Sequence, residues 1–294
     1  MVEPNIKDSP FSESPVVPEL YDGNKEIQFQ CHKGIACFNA CCKSIDITLT
    51  PYDILRLKHR LGLTSGEFLV KYTFPFEFGK DDIAGVKMKP VEGGTQCQFM
   101  TEEGCNVYED RPASCRYYPV ALVSMRRQTE YTDSESYALV KEEHCKGHEE
   151  PRKLTIDEYR KEQGLEDYDV LSRGWRQLIL KKKSSGPYIG KPSQMSRQMF
   201  FMACYDLDRF SDFVMSDAFN STYELPEELK QQIYTDDTQL MLFAFRFLSQ
   251  TLFGEQTIEL KTGAYEKRVE RRQQRLADVP PPAPEDPYEQ IIKD

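Results

Sequence analysis

The alternation of apolar and polar positions changes character near residue 150. Ahead of that point the apolar residues come in short runs. Ile45, Ile47 and Leu49 alternate with Asp46 and Thr48, the period of a half-buried strand. Residues 83–89, 119–125 and 136–140 read as further strands. Thr50-Pro51 opens a helix carrying Ile54, Leu55 and Leu57, because proline suits the first helical position, where its missing N–H goes unused. Thr64-Ser-Gly-Glu67 spells a capping box ahead of Phe68 and Leu69.

Beyond residue 150 the runs lengthen to the helical period. Thr155-Ile-Asp-Glu158 is a second capping box, and helical patterning continues from it to about Lys183. Residues 196–216 set Phe200, Ala203, Cys204, Leu207 and Val214 along one helical stripe. Residues 238–253 are apolar on all sides, from Leu240 through Phe243 and Phe247 to Phe253, which predicts a buried helix. Residues 265–276 read as a charged helical extension. Half of the 18 prolines lie within residues 4–18 and 280–287, so both tails read as extended or disordered. The expected fold class is α+β, with a small irregular cysteine-rich domain followed by an all-helical one. The boundaries expected are a tail over 1–24, the cysteine-rich domain over 25–150, the helical domain over 151–262, and a charged helix with proline-rich tail over 263–294.

Charge narrows the partners. The chain has 38 Lys and Arg against 48 Asp and Glu, a formal charge of −10, and neither half has a basic excess. Nucleic acid is therefore not expected, since binding it requires neutralising phosphates. No run approaches the ~20 apolar residues that span a bilayer, and the first residues lack the basic and apolar blocks of a signal peptide. A cytoplasmic setting and no membrane span are expected.

Cysteine is the outlier: eight of the nine fall between residues 31 and 145. One group is Cys31, Cys37, Cys41 and Cys42; a second is Cys97, Cys105 and Cys115; Cys145 follows, between His144 and Lys146. Cytosolic thiols stay reduced, so this clustering points to metal before disulfides. Thiolates are soft ligands that select zinc, copper(I) or iron–sulfur centres. Adjacent side chains in extended chain point opposite ways. Cys41 and Cys42 then serve different centres, or one ligates while the other packs. Cys204, on its core-facing stripe, reads as packing.

The run from Arg111 to Pro119 adds detail. With Pro112 at the first position of a short helix, Cys115 falls in the first turn, where the positive dipole end would lower its thiol pKa. Arg111 and Arg116 are the cations expected around a negatively charged thiolate centre. Tyr117 and Tyr118 read as core aromatics. Of the four histidines, His59 reads as solvent-facing in a charged helix; His32, His144 and His148 adjoin cysteines, with surface placement the simpler reading. The sequence has no Gly-x-Ser-x-Gly elbow, Walker loop or glycine-rich dinucleotide fingerprint.

The cysteine spelling, with Gly104-Cys105-Asn-Val-Tyr108 and Arg111-Pro-Ala-Ser-Cys115-Arg-Tyr-Tyr-Pro119, resembles the YkgJ-type cysteine-cluster family over roughly residues 28–148. That resemblance implies a zinc- or iron-chelating domain with Cys31, Cys37, Cys41, Cys42, Cys97, Cys105, Cys115 and Cys145 as the chelating set. The spacing from Cys31 to Cys37 is wider than in many members. A related similarity, to the cysteine cluster of flagellin lysine N-methylases, implies methyl transfer from S-adenosylmethionine. The leading expectation is a metal-binding protein that holds iron as a 4Fe–4S cluster, or zinc. A structural zinc module that binds a protein partner through its helical domain or tails, and a cluster-dependent lysine methylase, are the alternatives.

Overall fold

The computed structural model describes residue 16 and residues 19–78, 83–125, 134–184 and 192–264, with residues 266 and 270. Strand β1 (Glu26–Gln28) comes first. The chain then turns through the first cysteines to the short β2 (Thr48–Leu49). The expected strand over 45–49 is therefore shorter. Ile45 gives its N–H to Thr95 O at 3.0 Å and Ile47 O accepts from Met88 at 2.9 Å, single bonds with different partners rather than a ladder.

Helix α1 (Pro51–Leu61) begins where Thr50-Pro51 predicts, under a reciprocal capping box between Thr50 and Asp53, and ends on Gly62 at φ 65°. Helix α2 (Ser65–Tyr72) has the capping box expected of Thr64 and Glu67. It leads into β3 (Thr73–Phe78), which pairs with β4 (Ile83–Met88) to give an antiparallel sheet in the order β2-β4-β3. The small hairpin β5 (Met100–Thr101) and β6 (Gly104–Cys105), the five-residue α3 (Ala113–Tyr117), and the antiparallel pair β7 (Val120–Met125) and β8 (Ser134–Leu139) follow.

Strand β9 (Lys153–Thr155) pairs with β1, so chain on both sides of residue 150 shares one ladder. The helical pattern expected from Thr155 to Lys183 is two helices, α4 (Ile156–Glu162) and α5 (Glu166–Ser184), separated at Gly164 with φ 62°. The stripe over 196–216 is also broken, into α6 (Gln194–Tyr205) and α7 (Leu207–Met215), with Asp206 at φ −110°, ψ 70° between them. Its apolar members Phe200, Ala203, Cys204, Leu207 and Val214 are all buried as expected. After α8 (Asp217–Asn220) come β10 (Tyr223–Glu224), α9 (Glu227–Thr235), α10 (Asp237–Phe253) and β11 (Glu259–Leu260), which pairs with β10. The second half is thus helical with small strands added.

Helix α10 is the buried helix expected over 238–253, packed against α1, α5, α6, α7 and α9. One continuous apolar cluster runs from Leu49, Leu57 and Phe68 to Phe210, Phe243 and Phe247. A buried cation joins the two halves: Lys58, 3% exposed, meets Asp208 at 3.1 Å and Asp237 at 2.8 Å. Paired this way its charge is satisfied; alone it would be costly to bury. The N-terminal segment expected to be disordered is partly docked. Tyr21 exchanges backbone hydrogen bonds of 2.8 Å with Tyr137, and Val16 bridges to Val140. The charged extension over 265–276 lies largely outside the described residues. No described helix is long and apolar enough to cross a membrane.

Candidate metal centre

Tight turns set the first cysteines. Ile35 donates to His32 O, Phe38 to Ile35 O, Ala40 to Cys37 O and Cys42 to Asn39 O, at 2.9–3.1 Å. Asn39 takes the left-handed conformation, φ 64°, at the start of the 3-10 turn that carries the cysteine doublet. Its side chain holds that turn to the β5–β6 hairpin by donating to Thr101 O at 2.9 Å. Turns without regular ladders leave backbone N–H groups free to approach sulfur.

The segment around Cys145 runs beside the start of this stretch. Gln30 donates to Gly147 O at 3.0 Å, and the Lys146 N–H points at Cys37 Sγ at 3.1 Å. Glycine is required at 147 by proximity: a Cβ there would stand 2.5 Å from the Phe29 ring and 3.0 Å from Gln30 O. On the other side of the doublet, Cys97 donates its N–H to Cys42 O at 2.8 Å, Met100 to Cys97 O at 3.2 Å, and Phe99 to Cys97 Sγ at 3.4 Å. Cys105 lies in β6 opposite Met100. Cys115 is in the first turn of α3, with Pro112 as the residue before the helix rather than its first position. The buried Asp53 fixes that helix by accepting the Ala113 N–H at 2.7 Å, and the Ser114 hydroxyl donates to Thr48 O at 3.1 Å.

All nine cysteines are free thiols. The Cys41 and Cys42 sulfurs are 3.9 Å apart. Their shared hydrogen bond favours ionisation of Cys41 and pushes the Cys42 thiol up. Burial pushes Cys31 up, and charge on Cys41, Cys37 and Cys145 acts the same way. Burial likewise raises Cys97, Cys105 and Cys115. For Cys115, charge on Cys97, Cys105 and Cys41 adds to that. This corrects the expectation that the helix N-terminus lowers its pKa: the helix is one turn long, and desolvation of the thiolate outweighs the dipole. Among the described residues no three His, Cys, Asp or Glu side chains already stand as a metal-holding group.

The surroundings fit an anionic metal–thiolate group. The Arg111 charge favours ionisation of Cys31, Cys41 and Cys105, and its buried Nε has no hydrogen-bond partner. A desolvated guanidinium N–H without an acceptor is costly, and thiolate sulfur is the acceptor chemistry at hand. The Tyr118 hydroxyl is a second buried polar atom, set beside Cys145 and Glu142. Burial, then the nearby Cys145 and Glu142, push its phenol up. Arg116, the other expected cation, is placed differently. It donates to the Arg111, Gln163 and Glu109 carbonyls and stacks 4.6 Å from the Tyr168 ring centre, bracing the backbone before α3.

Tyr117 is core, as expected, with its hydroxyl on Asp169 at 2.5 Å. His148 is half-buried against Phe29 and bonded to Val140 O at 3.1 Å, where surface placement was expected. His32 and His144 pair with Glu150 and Glu142 at 3.5 Å, and His59 with Asp237 at 2.8 Å. Cys204 is 2% exposed and stands apart in the α6 core. A cleft of about 380 Å³ between β3, β4 and α6, walled by Phe76, Ala84, Arg197 and Phe201 among others, has no cysteine in its lining. Sequence reasoning missed Asp53 and Glu142. Asp53 closes the capping box of α1 with one oxygen, and its other oxygen acts across the fold.

Residues 30–170 match the family model CxxCxxCC, described as "Putative zinc- or iron-chelating domain". The chain's own spacing is wider, with five residues between Cys31 and Cys37 and three between Cys37 and Cys41. All eight clustered cysteines fall within the match and Cys204 falls outside it. No curated protein and no solved structure matches the chain.

Proposed function

We propose that the protein, whose residues 30–170 match this family model, chelates metal through its thiolates, with iron held as an iron–sulfur cluster. The observation that carries the reading is the buried Arg111 Nε, without an acceptor, beside cysteines that burial and mutual repulsion keep from ionising on their own. A bound cation reverses that repulsion: it favours every thiolate it contacts and leaves a net negative group for Arg111 to neutralise.

Iron–sulfur is preferred to zinc because the cysteine spacings are irregular and no two-residue zinc-knuckle pair occurs. Lys146 donates to Cys37 and Phe99 to Cys97. Such bonds set the reduction potential of a cluster, which supplies electron transfer or substrate activation when bound. The protein's own residues would wrap the group, exclude water from the buried Cys97 and hold Arg111 against it. Anaerobic purification with an absorption spectrum and analysis for iron, zinc and sulfide tests the proposal. Iron and sulfide in equal amounts are expected. Stoichiometric zinc without sulfide replaces the cluster by a structural zinc centre, and the absence of stoichiometric metal overturns the reading.

A further inference from the structure

We infer that Gln163 and Tyr108 are positioning residues for the thiolate centre and act on it through Arg111. They hold the guanidinium so that its buried Nε–H is presented to a metal-bound thiolate. The inference deepens the proposed function and rests on it.

Arg111 lies between Cys105 and Cys115 on chain that turns before and after it. Its N–H returns to Tyr108 O at 3.4 Å, and the Cys115 N–H to Pro112 O at 2.9 Å. Its guanidinium is held twice. Nη2 donates to Gln163 Oε1, and the central carbon stands 3.9 Å from the centre of the Tyr108 ring. A guanidinium is a rigid planar fork, so fixing one nitrogen and one face also fixes the direction of Nε–H. That Nε is buried and meets no acceptor among the described residues. An N–H locked in such a place is costly unless something accepts it, and in the proposed function the acceptor is thiolate sulfur.

The holder is itself fixed. Gln163 caps the end of α4, with its N–H on Tyr159 O at 2.9 Å. Arg116 grips the backbone on both sides of the contact, donating Nε to Arg111 O at 3.0 Å and Nη1 to Gln163 O at 2.6 Å. Arg111 and Gln163 are 52 positions apart, so the corner after α4 reaches back to the cysteine segment. The residue types suit the task. Arginine has donors only, so an amide must turn its oxygen to it. A neutral amide holds the guanidinium without cancelling its charge, whereas a carboxylate at 163 would pair with it and weaken its pull on thiolates. Tyr108, itself exposed, lays its ring over one face of the guanidinium.

The test uses the full chain, reduced, stripped of metal and loaded with cadmium-113 as the probe, with its arginines labelled with nitrogen-15. In wild type the Arg111 Nε–H signal, identified by its loss in Arg111→Lys, should exchange slowly with water and show scalar coupling to cadmium. Tyr108→Phe keeps the ring and should keep the coupling; Tyr108→Ala, at an exposed position that folding tolerates, should weaken it. Gln163→Leu should lose the coupling and bind cadmium several-fold more weakly, while the metal-free chain melts at the wild-type temperature. In an Arg111→Lys background Gln163→Leu should weaken binding no further, since it acts only through Arg111. Cadmium bound without coupling to Arg111, or Gln163→Leu with wild-type coupling and affinity, would overturn the inference and leave chelation standing. A lower metal-free melting temperature in Gln163→Leu with cadmium affinity unchanged would make Gln163 a structural residue, which also overturns it. No cadmium binding overturns both this inference and the proposed function.

Discussion

Asp53, in the first turn of α1, accepts the backbone N–H of Ala113, the opening residue of α3, at 2.7 Å. Its other oxygen accepts the Thr50 N–H at 2.7 Å and closes the capping box. One fully buried carboxylate therefore fixes the first helix of the fold and the short helix that presents Cys115. Burial pushes its carboxyl up to about 6, against the pull of those N–H groups.

Asp53→Ala leaves two backbone donors without acceptors, a loss of about 2–4 kcal/mol. Urea denaturation of the metal-free protein should show it. Asn at 53 retains one acceptor oxygen and should recover part of the stability. If α3 is held mainly by this bond, Asp53→Ala also releases metal to a chelator faster than wild type. Equal release rates would mean that the thiolate ligands position α3 without it.

The parts of this arrangement that are local in sequence were legible there. Thr64 and Thr155 each announce a helix through a capping box, which needs only four consecutive residues, Thr50-Pro51 announces one through proline at the first helical position, and the structure has all three. The breaks at Gly164 and Asp206 were hidden because the apolar stripe continues through each corner into the same core. The strand expected over 45–49 is shortened to Thr48–Leu49 because alternation describes burial, while a strand also needs a partner in register. The cysteine constellation announced its chemistry, yet its geometry joins residues as far apart as Cys37 and Lys146, 109 positions away, or Asp53 and Ala113, 60 away. Spacing within a segment carries no information about such contacts.

Cys204 separates thiol packing from thiol ligation. It is 2% exposed in the α6 core, and burial alone raises its thiol. Cys204→Ala should cost about 1–2 kcal/mol, the scale of deleting a small buried apolar group, with metal content unchanged by elemental analysis. Loss of metal in this variant would join the α6 core to the site.

His148 supplies a pH dependence distinct from the thiols. Burial lowers its imidazole below the ordinary value of 6.5, against the bond from the ring to Val140 O. The folded state then holds the neutral ring where the unfolded chain binds a proton. Its contribution is present above pH ~6.5 and is lost as pH falls through the lowered native value. His148→Gln can still donate to Val140 and does not titrate. The stability difference between wild type and His148→Gln should therefore move in favour of wild type as pH rises from about 5 to 7. Parallel melting curves across that range would remove His148 as a titrating group.

Cys115 tests the link between metal and fold most directly. It sits where α3, β2 and the β5–β6 hairpin converge, and burial with repulsion from Cys97, Cys105 and Cys41 holds it as a thiol in the free chain. Binding energy from a metal must therefore first overcome that cost, and what remains adds to folding stability. Cys115→Ser removes the soft donor but keeps the volume near that of cysteine, so packing changes little. Metal content should fall, and the melting temperature should drop toward that of wild type stripped by chelator. Stripping the variant of its remaining metal should then lower it less than stripping wild type. A variant with wild-type metal content and melting temperature would take Cys115 out of the ligand set and leave Asp53 holding a purely structural helix.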